Sequence, residues 1–302
     1  MYCLVIVPFL NEGAHLPAFL ESMDRQTRRP DRVVLVDDGS DDDSPSLTEA
    51  FAASRPWVTA LRRPRRAPSK DRLRGAPELE AFLWGLEETG GGYDVLVKMD
   101  ADLRLSRVHF ETVLGAFERD PSLGMAGTYL AVEVAPGDVR IEAQPAYHVR
   151  GPTRFYRRAC YEDVSPIPVM LGWDGADELR ARARGWRTQS LMLPGEPTLH
   201  LRPTGLHDGR VRAHVRWGEC AYAVGAHPLA IAAGAAIRMR NPPRVIGGLA
   251  YAAGWATAPW HHVDRVPEDI RSAKRAEQRR QMRSALRKIR TRVRLRRRAA
   301  AG

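Results

Sequence analysis

Two acidic clusters stand directly behind short apolar runs. Val33-Val34-Leu35-Val36 leads into Asp37-Asp38-Gly39-Ser40, and Val95-Leu96-Val97 leads into Lys98-Met99-Asp100-Ala101-Asp102. If the apolar runs are buried parallel strands, both clusters lie at the carboxyl edge of one sheet, where open α/β sheets bind ligands. Two carboxylates spaced like Asp100 and Asp102 on a strand exit reach one hard divalent cation, Mg2+ or Mn2+, and such an ion bridges the oxygens of a diphosphate. A nucleotide diphosphate is then the natural ligand. Either cluster alone is ordinary turn and cap chemistry. Their recurrence at successive strand ends is what points to a site.

The surrounding sequence supplies the elements that must place these groups. Leu4–Val7 reads as a buried strand, and Asn11–Asp24 as a helix with Leu16, Phe19, Leu20 and Met23 on one face and Asn11 or Glu12 near its start. After the second strand, Ser44 followed by Pro45 fits an N-cap and a first helical position. A third strand near Val58–Leu61, an Arg-rich loop Arg62–Pro77, a helix Glu78–Glu88 stopped by Gly90-Gly91-Gly92, the strand Val95–Val97 and a helix Ser106–Phe117 complete a repeated β-α order. This is the pattern of a mostly parallel, Rossmann-like α/β sheet with flanking helices. Further on, Met125–Val134 reads as a strand, Pro136-Gly137 as a turn, Asp174–Gly185 as a helix and Arg187–Leu193 as a strand.

The C-terminal third changes character. Of the 302 residues, those from Arg265 on hold 15 Lys/Arg against 3 Asp/Glu, and those before it 32 against 33, so the net charge of +11 belongs to the tail. Glu268–Arg298 reads as one basic amphipathic helix with Met282, Leu286, Ile289 and Val293 on one stripe. Two apolar stretches, His227–Ile237 and Val245–Ala258, precede it and are shorter than a membrane span. The expectation is a protein without a secretory signal, cytoplasmic and held peripherally at the inner face of the cell membrane, with an anionic membrane surface as partner. Nucleic acid is the weaker partner for the tail, because aromatic residues for base stacking are nearly absent. Three scattered cysteines, Cys3, Cys160 and Cys220, suggest neither a disulfide framework nor structural zinc.

Taken together, Val5-Ile6-Val7-Pro8-Phe9-Leu10-Asn11-Glu12, Val34-Leu35-Val36-Asp37-Asp38-Gly39-Ser40 and Lys98-Met99-Asp100-Ala101-Asp102 resemble, in order and spacing, a family 2 inverting glycosyltransferase of GT-A fold. The resemblance covers about residues 1–195. It implies transfer of a sugar from a nucleotide-activated donor to an acceptor hydroxyl, with Mn2+ or Mg2+ as cofactor. On this reading residues 1–205 form the GT-A domain, 206–264 an apolar helical membrane-interface region and 265–302 a basic amphipathic helical tail. A UDP-sugar is the favoured donor, and a glycan or lipid-linked precursor of an envelope polysaccharide the acceptor. Transfer of one sugar fits better than processive synthesis, since Arg216-Trp217 lacks the Gln of the polymerising members' motif. The alternatives are a degenerate transferase-fold scaffold at the membrane and a nucleic-acid-binding protein. A nicotinamide-dependent oxidoreductase is disfavoured, because Pro8-Phe9-Leu10-Asn11-Glu12-Gly13 stands where a Gly-x-Gly-x-x-Gly loop is required.

Matched residue by residue, the resemblance sets Pro8, Phe9, Asn11 and Glu12 beside the nucleotide base and Asp37 and Asp38 on base and ribose. Asp100, Ala101 and Asp102 form the metal–diphosphate element, and Arg72 or Arg74 contributes a basic group to the nucleotide. Inversion needs a base that accepts the acceptor proton. The family's acidic pair before a Gly-aromatic-Arg places that base at Asp174, ahead of Gly185-Trp186-Arg187, although Trp173 stands where Glu is usual. Asp177, three residues on, is the competing base, and a simple helix cap is the other role open to Asp174. His200 or His207 stands where some GT-A enzymes have a third metal ligand. Arg154, Arg157 and Arg158 are candidates to neutralise the departing diphosphate or an anionic acceptor.

Overall fold

The computed structural model describes residues 1–64, 75–202, 209–240 and 242–299, with side chains as far as 284 and at 287. The chain divides into two compact units, Met1–Thr204 and Gly205–Gly302.

The first unit is built on seven strands. β1 (Cys3–Phe9), β2 (Arg32–Asp37), β3 (Val58–Arg62) and β4 (Val95–Met99) run parallel in the order β4-β1-β2-β3. β6 (Leu123–Thr128) and β10 (Arg187–Leu191) pair parallel at the other side, and β9 (Thr153–Arg157) is inserted antiparallel between β4 and β6. The central strands are apolar on both faces because both faces are covered. Val5, Val7, Val33, Leu35 and Val97 pack with Phe19 and Met23 of α1 (Leu16–Asp24) and Phe110, Leu114 and Phe117 of α4 (His109–Arg119). Leu4, Ile6, Val34 and Val36 pack on the opposite face with Leu79 and Phe82 of α3 (Pro77–Thr89) and Tyr161 and Val164 of α5 (Arg158–Val164). α3 lies close because Gly85 faces Val36: a Cβ there would sit 2.6 Å from Val36 Cγ2. α2 (Ser44–Ala53) and α6 (Trp173–Ala183) complete the layers. A second sheet, in the order β5-β11-β7-β8, is formed by β5 (Leu103–Arg104), β7 (Leu130–Ala135), β8 (Asp138–Ile141) and β11 (Thr198–His200).

The α/β reading holds, with local corrections. α1 starts at Leu16 rather than Asn11, because residues 11–13 form a loop tied to the residues after β2. Ser44 is the first residue of α2 and Asp43 its cap position. The Ser44 hydroxyl accepts the Glu12 N–H at 2.9 Å instead of capping its own helix. α4 starts at His109, not Ser106. Met125–Val134 is two strands in two sheets, with Tyr129 between them.

The second unit is helical: α7 (Arg210–Ala223), α8 (Pro228–Arg238), α9 (Arg244–Thr257) and α10 (Glu268–Ala299). α7 and α9 meet backbone to backbone, since a Cβ at Gly218 would lie 2.1 Å from Tyr251 O and one at Gly254 2.1 Å from Val215 O. α8 and α9 are apolar on their outer faces too, exposing Leu229, Ile237, Val245, Ile246 and Leu249. No described helix is long and apolar enough to cross a membrane. The start of α10 is anchored by buried Ile270 and by Gln278, whose side chain accepts the His227 N–H at 2.8 Å. Leu286, Ile289 and Val293 have side chains outside the described set.

Candidate active site

The loops after β1 and β2 are locked together. Asn11 adopts φ of 55°, a left-handed conformation that Asn tolerates better than most residues. Its N–H donates to Ser40 Oγ and its Oδ1 accepts from the Asp41 N–H, each at 2.9 Å. Asp42 Oδ2 accepts the Gly13 N–H at 2.9 Å, Asp37 Oδ1 accepts the Ser40 N–H at 2.8 Å, and Phe9 O, one residue beyond Pro8, accepts the Asp38 N–H at 2.9 Å. Asp37 and Asp38 are buried and face cations from the end of β3: Arg62 Nε lies 3.2 Å from Asp37 Oδ2, and Arg63 Nη1 2.7 Å from Asp38 Oδ1. A cleft of about 520 Å³ opens there, lined by Gly39, Ser40, Asp41, Arg62, Arg63 and Pro64. Arg62 and Arg63 are the basic groups that line this cleft among the described residues. Their signal was their position just past a third apolar run. Arg72 and Arg74 lie outside the described residues.

At the end of β4 the two acids have different surroundings. Asp100 is ion-paired with the buried Lys98 through Oδ1, Ala101 is in the core, and Asp102 turns toward β11. Asp102 Oδ2 lies 3.3 Å from His200 Nε2 and 3.0 Å from Arg202 Nε, and Arg202 also pairs with Glu12, which holds His15 Nδ1 at 2.9 Å. Burial pushes the Asp102 carboxyl up, but His200 and Arg202 outweigh it and hold it down at about 2. Burial raises Glu12, and nearby Asp102 adds to that, against the pull of Arg202. Among the described residues no group of three His, Cys, Asp or Glu is poised to hold a metal ion. Asp102 and His200 form a two-donor edge. Two ligands about 2.1 Å from one octahedral ion are separated by about 3 Å, so Asp102 Oδ2 and His200 Nε2, 3.3 Å apart, are donors of the type and spacing that would suit one hard ion. His207 lies outside the described residues.

α6 separates the two base candidates. Asp174 is half-buried in the first turn, where the helix dipole favours an anion. Asp177 is fully buried: it pairs with Arg154, accepts the Tyr156 hydroxyl at 2.5 Å and accepts the Glu178 N–H at 2.5 Å. So enclosed, Asp177 is one half of a core ion pair, whereas Asp174 reaches solvent. The three arginine candidates differ in their surroundings. Arg154 is 0% exposed, Arg157 donates to the carbonyls of Phe117, Asp120 and Leu123, and Arg158 pairs with Glu162.

Trp173 is buried, donates its indole N–H to Glu78 at 3.0 Å, and has Lys98 and Arg154 at 5.6 and 5.4 Å from its ring. The sequence reading missed Arg150. It is ion-paired with Glu142, and burial lowers its pKa against opposing pulls from Asp174 and Asp100. Its loop touches both elements: a Cβ on Gly151 would lie 3.6 Å from Asp174 Oδ2, and Pro152 O accepts the Asp100 N–H at 3.0 Å.

The sequence profile of glycosyl transferase family 2 matches residues 4–165. The chain belongs to this family. Among curated family relatives it is 41% identical over 102 residues to the undecaprenyl-phosphate mannosyltransferase of Micrococcus luteus, covering 34% of this chain and 38% of that protein. It is 33% identical over 128 residues to the polyprenol monophosphomannose synthase of Mycolicibacterium smegmatis, covering 42% and 45%. The matched segments thus span less than half the length of either relative. Among solved structures, the mannosyltransferase from Pyrobaculum calidifontis in complex with GDP-Man and Mn2+ aligns with a TM-score of 0.52 at 17% identity, over 90% of this chain and 73% of that one. TarS of S. aureus aligns with a TM-score of 0.54 at 12% identity, over 91% and 55%. The fold is that of the GT-A glycosyltransferases.

Proposed function

We propose that this glycosyltransferase moves a single hexosyl group, with inversion and with the help of a divalent metal, from a nucleotide-diphosphate sugar to an oxygen of a lipid-linked acceptor at a membrane surface. One observation carries the reading: the loops after β1, β2 and β4 converge at one sheet edge, where Glu12, Arg202, Asp102 and His200 form one contact network. The cleft beside Asp37, Asp38, Arg62 and Arg63 takes the nucleoside. Asp102 and His200 would hold Mn2+ or Mg2+, which supplies charge neutralisation for the departing diphosphate. Asp100, already paired with Lys98, supports the strand exit.

Asp174 is the base for a hydroxyl acceptor, with Arg150 as the neighbouring cation. An acceptor phosphate is already ionised at neutral pH and asks no proton transfer of Asp174. The names of the two curated relatives make mannose the first sugar to test and a polyprenyl phosphate the first acceptor, on donors carried by GDP as well as the UDP expected from sequence. The membrane partner is supported by the exposed apolar faces of α8 and α9 and by the basic tail, where each Lys/Arg near an anionic surface adds about 1 kcal/mol. The inner leaflet is the surface this arrangement suits.

The deciding experiment is thermal unfolding with UDP, GDP, TDP and their sugars, with Mn2+ or EDTA, on wild type and Asp102→Ala. One nucleotide class should stabilise the wild type only with metal, by about 2.7 kcal/mol at a hundredfold excess over Kd, and Asp102→Ala should lose the response. A wild type that no nucleotide stabilises would overturn the reading.

A further inference from the structure

Arg202 belongs to no motif, yet it stands at the centre of the site. Its Nε donates to Asp102 Oδ2 at 3.0 Å, on the same oxygen that His200 Nε2 approaches at 3.3 Å, and its terminal nitrogen reaches Glu12 Oε1. The side chains of Asp102 and Glu12 are each only 9% exposed. Two shielded carboxylates bridged by one guanidinium depend on that cation to offset their burial. A hard ion chelated by Asp102 Oδ2 and His200 Nε2 would add two positive charges beside a guanidinium already bonded to one of those donors. The ion and the guanidinium would then compete for that oxygen.

We infer that Arg202 is the internal counter-ion of the metal-free site and that a divalent cation binds by displacing it from Asp102. Arg202 keeps its second anchor on Glu12, so the exchange couples the metal carboxylate to the loop that follows β1. Arg202 is thus a positioning residue that sets metal affinity and holds the loop in register before the donor arrives. The inference rests on the metal site proposed above.

The test measures Mn2+ binding without nucleotide, by electron paramagnetic resonance and by the Mn2+-induced change in Tm, on wild type, Arg202→Gln, Arg202→Lys and Asp102→Asn. Arg202→Gln should unfold at lower temperature than wild type without metal, should bind Mn2+ at least fivefold more tightly, and should gain more Tm from it. Arg202→Lys should stay near wild type in both readouts. If Arg202→Gln binds Mn2+ no better than wild type while Asp102→Asn loses binding, the counter-ion role is overturned and the metal site stands. If Mn2+ binds neither wild type nor Arg202→Gln, with or without UDP or GDP, the metal site and the inference fall together.

Discussion

Asp174 and Asp177 share one helix, and their surroundings differ: one reaches solvent and the other is sealed in the core. Asp174→Asn should lower kcat for a hydroxyl acceptor by about 10² to 10⁴-fold with little change in donor KM. The same variant should leave transfer to a phosphate acceptor nearly intact, so a single substitution assayed on two acceptors distinguishes the chemistries. Asp177→Asn should act on stability: removing one partner of a buried pair leaves Arg154 uncompensated and costs about 3–5 kcal/mol in urea unfolding. His109 carries a pH dependence. It is fully buried, its Nδ1 is 2.8 Å from Thr198 Oγ1, and burial lowers its pKa to about 3. The unfolded chain holds this proton below about pH 6.5 and the folded one does not, so stability falls as pH drops from about 6.5 toward 3. Replacing His109 by Gln should reduce the loss between pH 7 and pH 5 by roughly 2 kcal/mol. Paired unfolding curves at the two pH values read this directly. At this scale the sequence revealed the acids, because they follow apolar runs, and hid their cations. Arg202 is a hundred positions from Asp102, and Arg150 comes near Asp174 only through the fold.

At the scale of elements, strands and helices with a strong apolar pattern were legible, and their breaks were not. Met125–Val134 reads as one strand because its composition does not change where the chain leaves one sheet for another. β9 carries Arg154 and Arg157 toward its two ends, which disguises a central strand, and this is tolerated because Asp177 and a row of backbone carbonyls receive those charges. The α7–α9 pair hid for a different reason: its contact is made by glycines, which contribute no hydrophobic signal. Gly218→Ala and Gly254→Ala should each destabilise the second unit by about 1–3 kcal/mol, since the added methyl meets backbone that has no rotamer to yield. Calorimetry of the full chain should show a lowered transition in either variant.

For the whole molecule, charge and apolar surface concentrate in the second unit and chemistry in the first. Reversing Arg279, Arg280 and Arg283 to Glu should weaken binding to anionic vesicles by at least roughly tenfold while leaving the metal-dependent nucleotide response of the first unit unchanged. Co-sedimentation at low and high salt separates that loss from the apolar contribution of α8 and α9. The place of β9 in the main sheet bears on how the chain is made. β1, β2, β3 and β4 all leave the ribosome before β9 and can assemble first, but one edge of β4 must wait for β9, which starts at Thr153. Throughout that stretch of translation an apolar strand presents unpaired amide and carbonyl groups, a template for association with other nascent chains. The antiparallel strand that completes the sheet therefore also closes the interval in which a newborn chain most needs a chaperone.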